Sequence, residues 1–548
     1  MKSTPAFRRG LLPAAISLLI VAPAVHGGEI ESSNPDLNIR LDTTLKYSTA
    51  VRLKNAAPIL VDPAAGNPTV VNSDDGDRNF RRGRLVSNRV DLLSEFDLVY
   101  RKDFGVRLSG AAWYDRVYNR GNSNDSPATA NALSTRHDQF PGGTRELHGR
   151  KAEVLDAFGF ANVDMGSTRA QLKAGRHTLL WGESLFFAQN GIASGQAPFD
   201  IVKLLSVPST PAKEFVLPVG QVSGQVQFSS DLAVAGFYQF EWRRTRLPGA
   251  GSYFSTSDIL DAGGESLLFA PAHAAYLRRG ADVTPPRTGQ FGLALKTRVG
   301  GSDVGLYALQ YNAKTPVLYG NLTPGPGAEQ GEYSLVFPQK IKVFGASANH
   351  SAGSFNFAGE ASVRRNAPLT SGLAMRVFGS PLGDGTSNPL YAVGTTAHVN
   401  LNTMAIMGPT FMSTSAVFLA EVAWNRMLSC TKNCSTTLDP GATRDSWGFR
   451  FTYSPTYYNV ADGLDVSPSI SASYFPKGKA AAQTLGPHHG GDLTLGVDLT
   501  YLTVWKAAVN YTHFYGPADA FLNARNNFSF AQSSKDRDFV SFTLSRTF

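Results

Sequence analysis

Between Leu37 and Leu53 apolar and polar side chains take turns. Leu37, Ile39, Leu41, Thr43, Leu45, Tyr47, Thr49, Val51 and Leu53 alternate with Asn38, Arg40, Asp42, Thr44, Lys46, Ser48, Ala50 and Arg52. A period of two puts one set on each face of an extended strand. The run far exceeds the roughly six residues of an ordinary globular strand. It recurs: Val90, Leu92, Phe96, Leu98 and Tyr100 oppose Asp91, Glu95 and Asp97, and Leu493, Leu495, Val497, Leu499 and Tyr501 oppose Thr494, Asp498 and Thr500. A soluble sandwich also alternates, but with short strands and a polar face in bulk water. Here the strands run to about ten residues or more and end in rings, as a bilayer interface selects. Those rings are Tyr100, Trp113 with Tyr114, Trp242, Trp424, Tyr474, Trp505 and Tyr515. In hydrocarbon an open sheet edge leaves unpaired N–H and C=O groups at several kcal/mol each, so such a sheet must close.

The connections alternate too. Candidate strands near 37–53, 86–101, 105–118, 150–163, 169–178, 215–229, 232–245, 288–299 and 303–312 continue through 339–349, 354–364, 394–407, 411–427, 445–455, 464–475, 491–502, 505–516 and 537–548. Tight turns are expected at Lys102–Phe104, Asp164–Thr168, Ser229–Asp231, Gly300–Ser302, His350–Ser354, Gly408–Pro409 and Leu502–Val504, and the connections between them are long and rich in Gly, Pro, Asn and Ser. The fold class expected is all-β: a transmembrane antiparallel up-and-down barrel of about 18 strands, or about 16 if one hairpin is merged or split. Val540, Phe542, Leu544 and the terminal Phe548 share one face of the final strand, similar to the C-terminal assembly signal of outer-membrane barrels, with Arg546 departing from it.

Residues 1–27 read as a secretory signal: Lys2, Arg8 and Arg9, the apolar Leu11–Val25, then small residues at Val25-His26-Gly27. Residues 28–548 then form the barrel, in the bacterial outer membrane. No later stretch reaches the roughly 18 apolar residues of a spanning helix. Charged residues make up 17% of the chain and the net charge is +8, without a Lys/Arg run of the nucleic-acid kind.

If the apolar face meets lipid, the other face lines a wet bore. The lumen-lining candidates are Arg40, Asp42, Asp91, Glu95, Asp97, Arg107, Lys173, Glu241 and Arg243, with mixed signs and no ring of one charge. After the fifth strand, Trp181 to Phe215 is too apolar for an exposed loop of 35 residues. It is expected to fold inward as a constriction or plug, with Trp181, Phe186, Phe187, Phe199, Asp200 and Lys203 as its marked residues. Pro198 and Asp200 suit the start of a short helix there, and Val207-Pro208 its end. Packing against neighbouring loops above the bore is the other reading of this segment.

Cys430 and Cys434 share one loop, where a small disulfide is favoured over a two-ligand metal site. Asp74, Asp75 and Asp77 resemble half a calcium loop without the bidentate Glu, so a solvated turn is favoured over weak calcium binding. No Ser/His/Asp set falls on adjacent positions, and neither a cofactor nor a resident metal is expected.

The strings FRRGRLVSNRVDLLSEFD, LHGRKAEVLDAFGF, AGRHTLLWGESLFF, GIASGQAPFDIVKLLSV and FEWRRTRLPGAGSYFSTSDILD resemble the Gram-negative family catalogued as domain of unknown function 1302 (DUF1302). The resemblance implies an outer-membrane protein, often encoded beside a periplasmic protein and an exporter of the resistance-nodulation-division type, as partners. It brings no catalytic residue. The function expected is a non-enzymatic channel passing small, hydrophobic or amphipathic compounds. A barrel hydrolase and a structural partner of an envelope export complex are the alternatives.

Overall fold

The computed structural model describes residues 28–207, 210–323, 325–377 and 379–548. The expected signal segment, 1–27, lies outside the described residues, as do positions 208 and 209 of the Trp181–Phe215 stretch.

Eighteen long strands form one closed, antiparallel barrel. In chain order they are β1 (Leu37–Arg52), β2 (Leu85–Tyr100), β3 (Phe104–Asp115), β4 (Arg150–Met165), β5 (Thr168–His177) and β6 (Val219–Ser229). β7 (Leu232–Gln239), β8 (Gln290–Val299), β9 (Ser302–Tyr311), β10 (Ile341–Ala352), β11 (Phe355–Pro368) and β12 (Val393–Met407) follow. The last six are β13 (Ser415–Lys432), β14 (Asp445–Ala461), β15 (Leu464–Lys477), β16 (Gly491–Tyr501), β17 (Trp505–Tyr515) and β18 (Phe539–Thr547). Closure comes from β18 on β1, with Thr44 opposite Thr547 and Arg52 opposite Phe539. Thr43 and the terminal Phe548 exchange both backbone hydrogen bonds, at 2.9 and 2.8 Å, so the chain's last residue completes the seam.

One end of the barrel carries turns of two to seven residues, and the other carries loops of twelve to fifty. The tight turns use left-handed backbone. Gly300 and Gly301 supply it without steric cost, whereas Leu502 (φ 49°) and Thr503 (φ 61°) adopt it with side chains attached.

Along β8, Phe291, Leu293 and Leu295 are exposed, while Gln290, Gly292 and Ala294 are buried. The same phase puts Leu401 outside and His398, Asn400 and Asn402 inside on β12. A single-layer wall whose exposed face is apolar and whose buried face is polar is a barrel built to sit in hydrocarbon. Inward charges of opposite sign face one another across strands: Lys46 stands opposite Asp91, Arg40 opposite Asp97, and Asp97 opposite Arg107. One stretch departs from this rule. Phe237, Tyr307, Leu309, Tyr311, Ile341 and Val343 face inward on β7 to β10 and are buried with Trp181 and Ile192.

Two expectations change here. The strand near 232–245 ends at Gln239, and Trp242 beyond it donates its indole N–H to the Ala313 carbonyl at 3.2 Å. Trp113 is not an interface ring: it is buried inside the barrel, and its N–H donates to Leu147 O at 3.1 Å. The long loops also hold more order than their composition implies. Ala374–Val377, Val317–Leu322, Glu329–Val336, Ala275–Arg279 and Ser266–Ala270 form a second, five-stranded sheet at the long-loop end.

Candidate functional site

The connection between β5 and β6 is held by its backbone. Its first half meets β11, β12 and β13, whose inward side chains offer hydrogen-bond partners of matching sign. Glu360 accepts the amide N–H of Glu183 at 2.7 Å and of Ile192 at 3.0 Å. Glu421 accepts from the amides of Leu185 (3.1 Å), Phe186 and Phe187 (3.0 Å), and from Asn400 Nδ2 (2.7 Å). Arg364 donates to the carbonyls of Gln189, Asn190 and Gly191, at 3.0, 2.7 and 3.0 Å. Carboxylates take the N–H groups and the guanidinium takes the C=O groups, each contact contributing about 1.5–3 kcal/mol as a charge-assisted bond.

Two glycines permit this approach. A Cβ on Gly182 or Gly191 would lie 2.0 or 2.2 Å from a Glu360 carboxylate oxygen. Between them Asn190 Nδ2 donates to Asn400 Oδ1 at 2.8 Å, while its Oδ1 accepts from Asn425 at 3.1 Å and lies 2.9 Å from His398 Nδ1.

The rest of the segment's contacts fall on other walls. Trp181 packs edge-on against Phe237, with ring centroids 5.1 Å apart, and lies 5.9 Å from Tyr307. Gln239 Nε2 donates to Gln196 O at 2.8 Å, and Lys314 Nζ to Gly195 O at 3.1 Å. A short helix, Ile201–Ser206, is capped by Asp200, whose Oδ1 accepts the Lys203 N–H at 2.9 Å. Asp200 Oδ2 also pairs with Arg246 at 2.8 Å, and Arg246 reaches Glu153 on β4. Glu214 pairs with Lys46 on β1 at 3.2 Å and with Lys203 at 3.6 Å, and Lys213 pairs with Glu95 on β2.

The marked residues therefore fall into separate groups. Trp181 and Phe199 are buried in apolar clusters, while Phe186 lies under Arg450 (5.8 Å) and Phe187 meets Phe475 edge-on. Asp200 and Lys203 belong to the ion-pair chain. Arg40 pairs with Asp42 at 2.7 Å near the short-turn end, and Asp91 with Arg89 at 2.6 Å. Arg107 joins Glu95 and Asp97, and Lys173 Nζ stands 5.7 Å from the Phe158 ring centre. Glu241 and Arg243 lie past the end of β7. Glu241 pairs with Arg176 at 2.6 Å, and Arg243 donates to Pro218 O at 2.7 Å. Cys430 and Cys434 are joined, with Cα atoms 5.8 Å apart, at the end of β13 and in the loop after it.

Several residues that hold the segment went unmarked in the sequence: Glu153, Arg246, Glu360, Arg364 and Asn400. Trp113, read from the sequence as an interface ring, instead lies beneath Arg89 (4.8 Å), Lys203 (5.4 Å) and Arg246 (6.0 Å). Glu360 and Arg364 do sit on the polar phase of a strand, but nothing local separates them from inward charges that merely face water.

Cavities border the segment toward both ends of the barrel. One, of about 70 Å³, is lined by Gln189, Ser194 and Phe199 together with Tyr311, Lys314 and Arg364, toward the long-loop end. The other, of about 380 Å³, is lined by Leu180 to Glu183 together with Asp231, Lys296 and Asp303, toward the short-turn end.

The chain belongs to the family described as "Protein of unknown function (DUF1302)", which matches residues 8–548. No curated protein matches it in sequence. Among solved structures it is similar to OccAB3 of Acinetobacter baumannii, at 9% identity and a TM-score of 0.41, over 93% of this chain and 99% of that one. The outer membrane channel DcaP of Acinetobacter baumannii aligns at 9% identity and a TM-score of 0.38, over 95% and 100% of the two chains. Pseudomonas aeruginosa OpdK with vanillate aligns at 10% identity and a TM-score of 0.40, over 93% and 98%.

Proposed function

We propose that this protein is an outer-membrane channel through which small amphipathic compounds pass passively, with Trp181–Phe215 as the constriction. The observation that carries the reading is the reach of that segment. Its contacts fall on β11 to β13 through Glu360, Arg364 and Glu421, and on β1, β2 and β4 through Lys46, Glu95 and Glu153. A chain bonded to inward side chains on walls so far apart in strand order crosses the bore. One cavity then lies on each side of it.

The apolar content of the segment does not itself face the path, because Trp181, Ile192, Phe199 and Val202 are buried in packing. What favours amphipathic solutes is the mixed lining of the narrow cavity on the long-loop side, where Phe199 and Tyr311 stand beside Lys314, Arg364 and Gln189. Apolar rings with a few placed polar groups favour a solute with both characters. The bilayer and the solute are then the partners, and a periplasmic protein with an export system is a further proposal resting on the family resemblance.

Liposome swelling with the folded protein tests this reading. Swelling with small aromatic or aliphatic solutes bearing a polar head, and slower swelling with sugars of equal size, is expected. Vesicles that stay as tight as protein-free ones with every solute would contradict it.

A further inference from the structure

The turn after β1 reads Asp74-Asp75-Gly76-Asp77, and the fold handles its carboxylates unequally. Asp77 and the distant Asp536 are both buried, and two buried guanidiniums serve them. Arg52 lies 3.0 Å from Asp77 and 3.2 Å from Asp536, and Arg537 lies 2.8 Å from Asp77. That set is balanced, two charges against two.

Asp74 and Asp75 turn the other way and meet Asp258, which arrives from the long loop between β7 and β8. Asp258 Oδ2 accepts the Asp75 N–H at 3.1 Å, and its own N–H donates to Asn72 O at 2.8 Å. One carboxylate oxygen from each of Asp74, Asp75 and Asp258 lies within 4.8 Å of the others. Asp74 and Asp258 are completely buried, and Asp75 is nearly so.

Arg78 pairs with Asp74, and neither Asp75 nor Asp258 has an ion pair among the described residues. Asp75 is solvated only by neutral donors, Asn124 Nδ2 at 3.1 Å and the Asn131 N–H at 3.2 Å. The decisive atom is Asp258 Oδ1. It is buried and accepts no hydrogen bond among the described residues, and Asp74 Oδ1 is in the same condition. The Thr129 hydroxyl, which approaches Asp74, donates to Ser126 Oγ at 2.9 Å. Asn131, bonded to Asp75 through its amide, also keeps a buried Oδ1 without a partner.

An orphaned carboxylate oxygen in a dry site costs several kcal/mol unless something positive meets it. Three carboxylates against one guanidinium leave two negative charges, the charge of one divalent cation. All the donors are oxygens, and their spacing fits inside the oxygen shell of calcium, about 4.8 Å across. We propose that Asp74, Asp75 and Asp258 bind one calcium-class divalent cation that fastens the loop after β1 to the loop after β7. The cation would order the long-loop end, independently of what the channel carries.

The test uses the full folded chain in detergent, refolded with chelator, dialysed against calcium, and assayed for bound metal by mass spectrometry. A single calcium ion per wild-type chain is expected, with slower proteolysis of residues 53–84 and 240–289 when calcium is present. Asp258→Asn should lose the ion, and Asp125→Asn, at an exposed carboxylate paired with Arg81, should keep it. Should Asp258→Asn fail to fold, Asp74→Asn takes its place, and the wild-type metal content still decides. A wild type that retains no calcium would overturn the proposal, and so would equal retention by Asp258→Asn.

Discussion

At the scale of single residues, the Trp181–Phe215 segment hangs on a few inward charges. Glu421 is buried and answers four donors, three of them consecutive amides. Glu421→Ala leaves those amides orphaned, at about 1–3 kcal/mol each. We expect a noisier single-channel current with open-level excursions above the wild-type value. A second residue-scale effect concerns pH. His148, outside the membrane-spanning strands, accepts the Gly249 N–H at 2.9 Å through Nε2 and stacks on Tyr118 at 4.7 Å. Burial, with the charge of Arg89 second, lowers its pKa to about 3. The unfolded chain therefore binds this proton first, and the stabilisation, full above the ordinary histidine value, is lost as pH falls toward about 3. Outer-loop proteolysis should accelerate over that window more steeply in wild type than in His148→Gln. Roles of this kind were hard to read from sequence. Glu360 and Glu421 occupy the same polar phase as Arg40 or Lys173, and only tertiary approach tells a clamp from a solvated wall.

Elements were more legible, for a physical reason. A strand wetted on one face and oiled on the other must alternate, so β1, β12 and β16 announce themselves, and the helix at Ile201–Ser206 follows from Pro198 and Asp200. Alternation blurs on β7 to β10, because Phe237, Tyr307 and Leu309 face inward and are covered by Trp181 and Ile192. The five-stranded sheet over the long-loop end was missed because its strands are short and lie among Gly- and Pro-rich stretches. The turn after β16 carries a prediction at this scale. Leu502 and Thr503 hold positive φ without being glycine, at about 1–2 kcal/mol per residue. Replacing the pair by Asn-Gly should raise the urea midpoint of unfolding. An unchanged or lower midpoint would show that the turn is not strained.

At the scale of the molecule, two facts coexist: a closed wall with an apolar exterior, and a chain segment bonded to its interior. The first was legible, since the alternation and the rhythm of short and long connections both demand a closed barrel. Leu401, outward and central on β12, should not tolerate charge: Leu401→Arg is expected to cost about 2–4 kcal/mol of folding free energy in lipid. Val299→Arg, at the rim, should cost about 0–1 kcal/mol. The second fact was legible only as an excess of apolar residues in one loop, and what holds it in place came from strands far away in the chain. The most direct test of the whole account is planar-bilayer conductance of the wild type beside a variant lacking Gly191–Leu204. A constriction across the bore predicts a several-fold larger, less selective conductance for the deletion. Identical currents from two correctly folded barrels would contradict it.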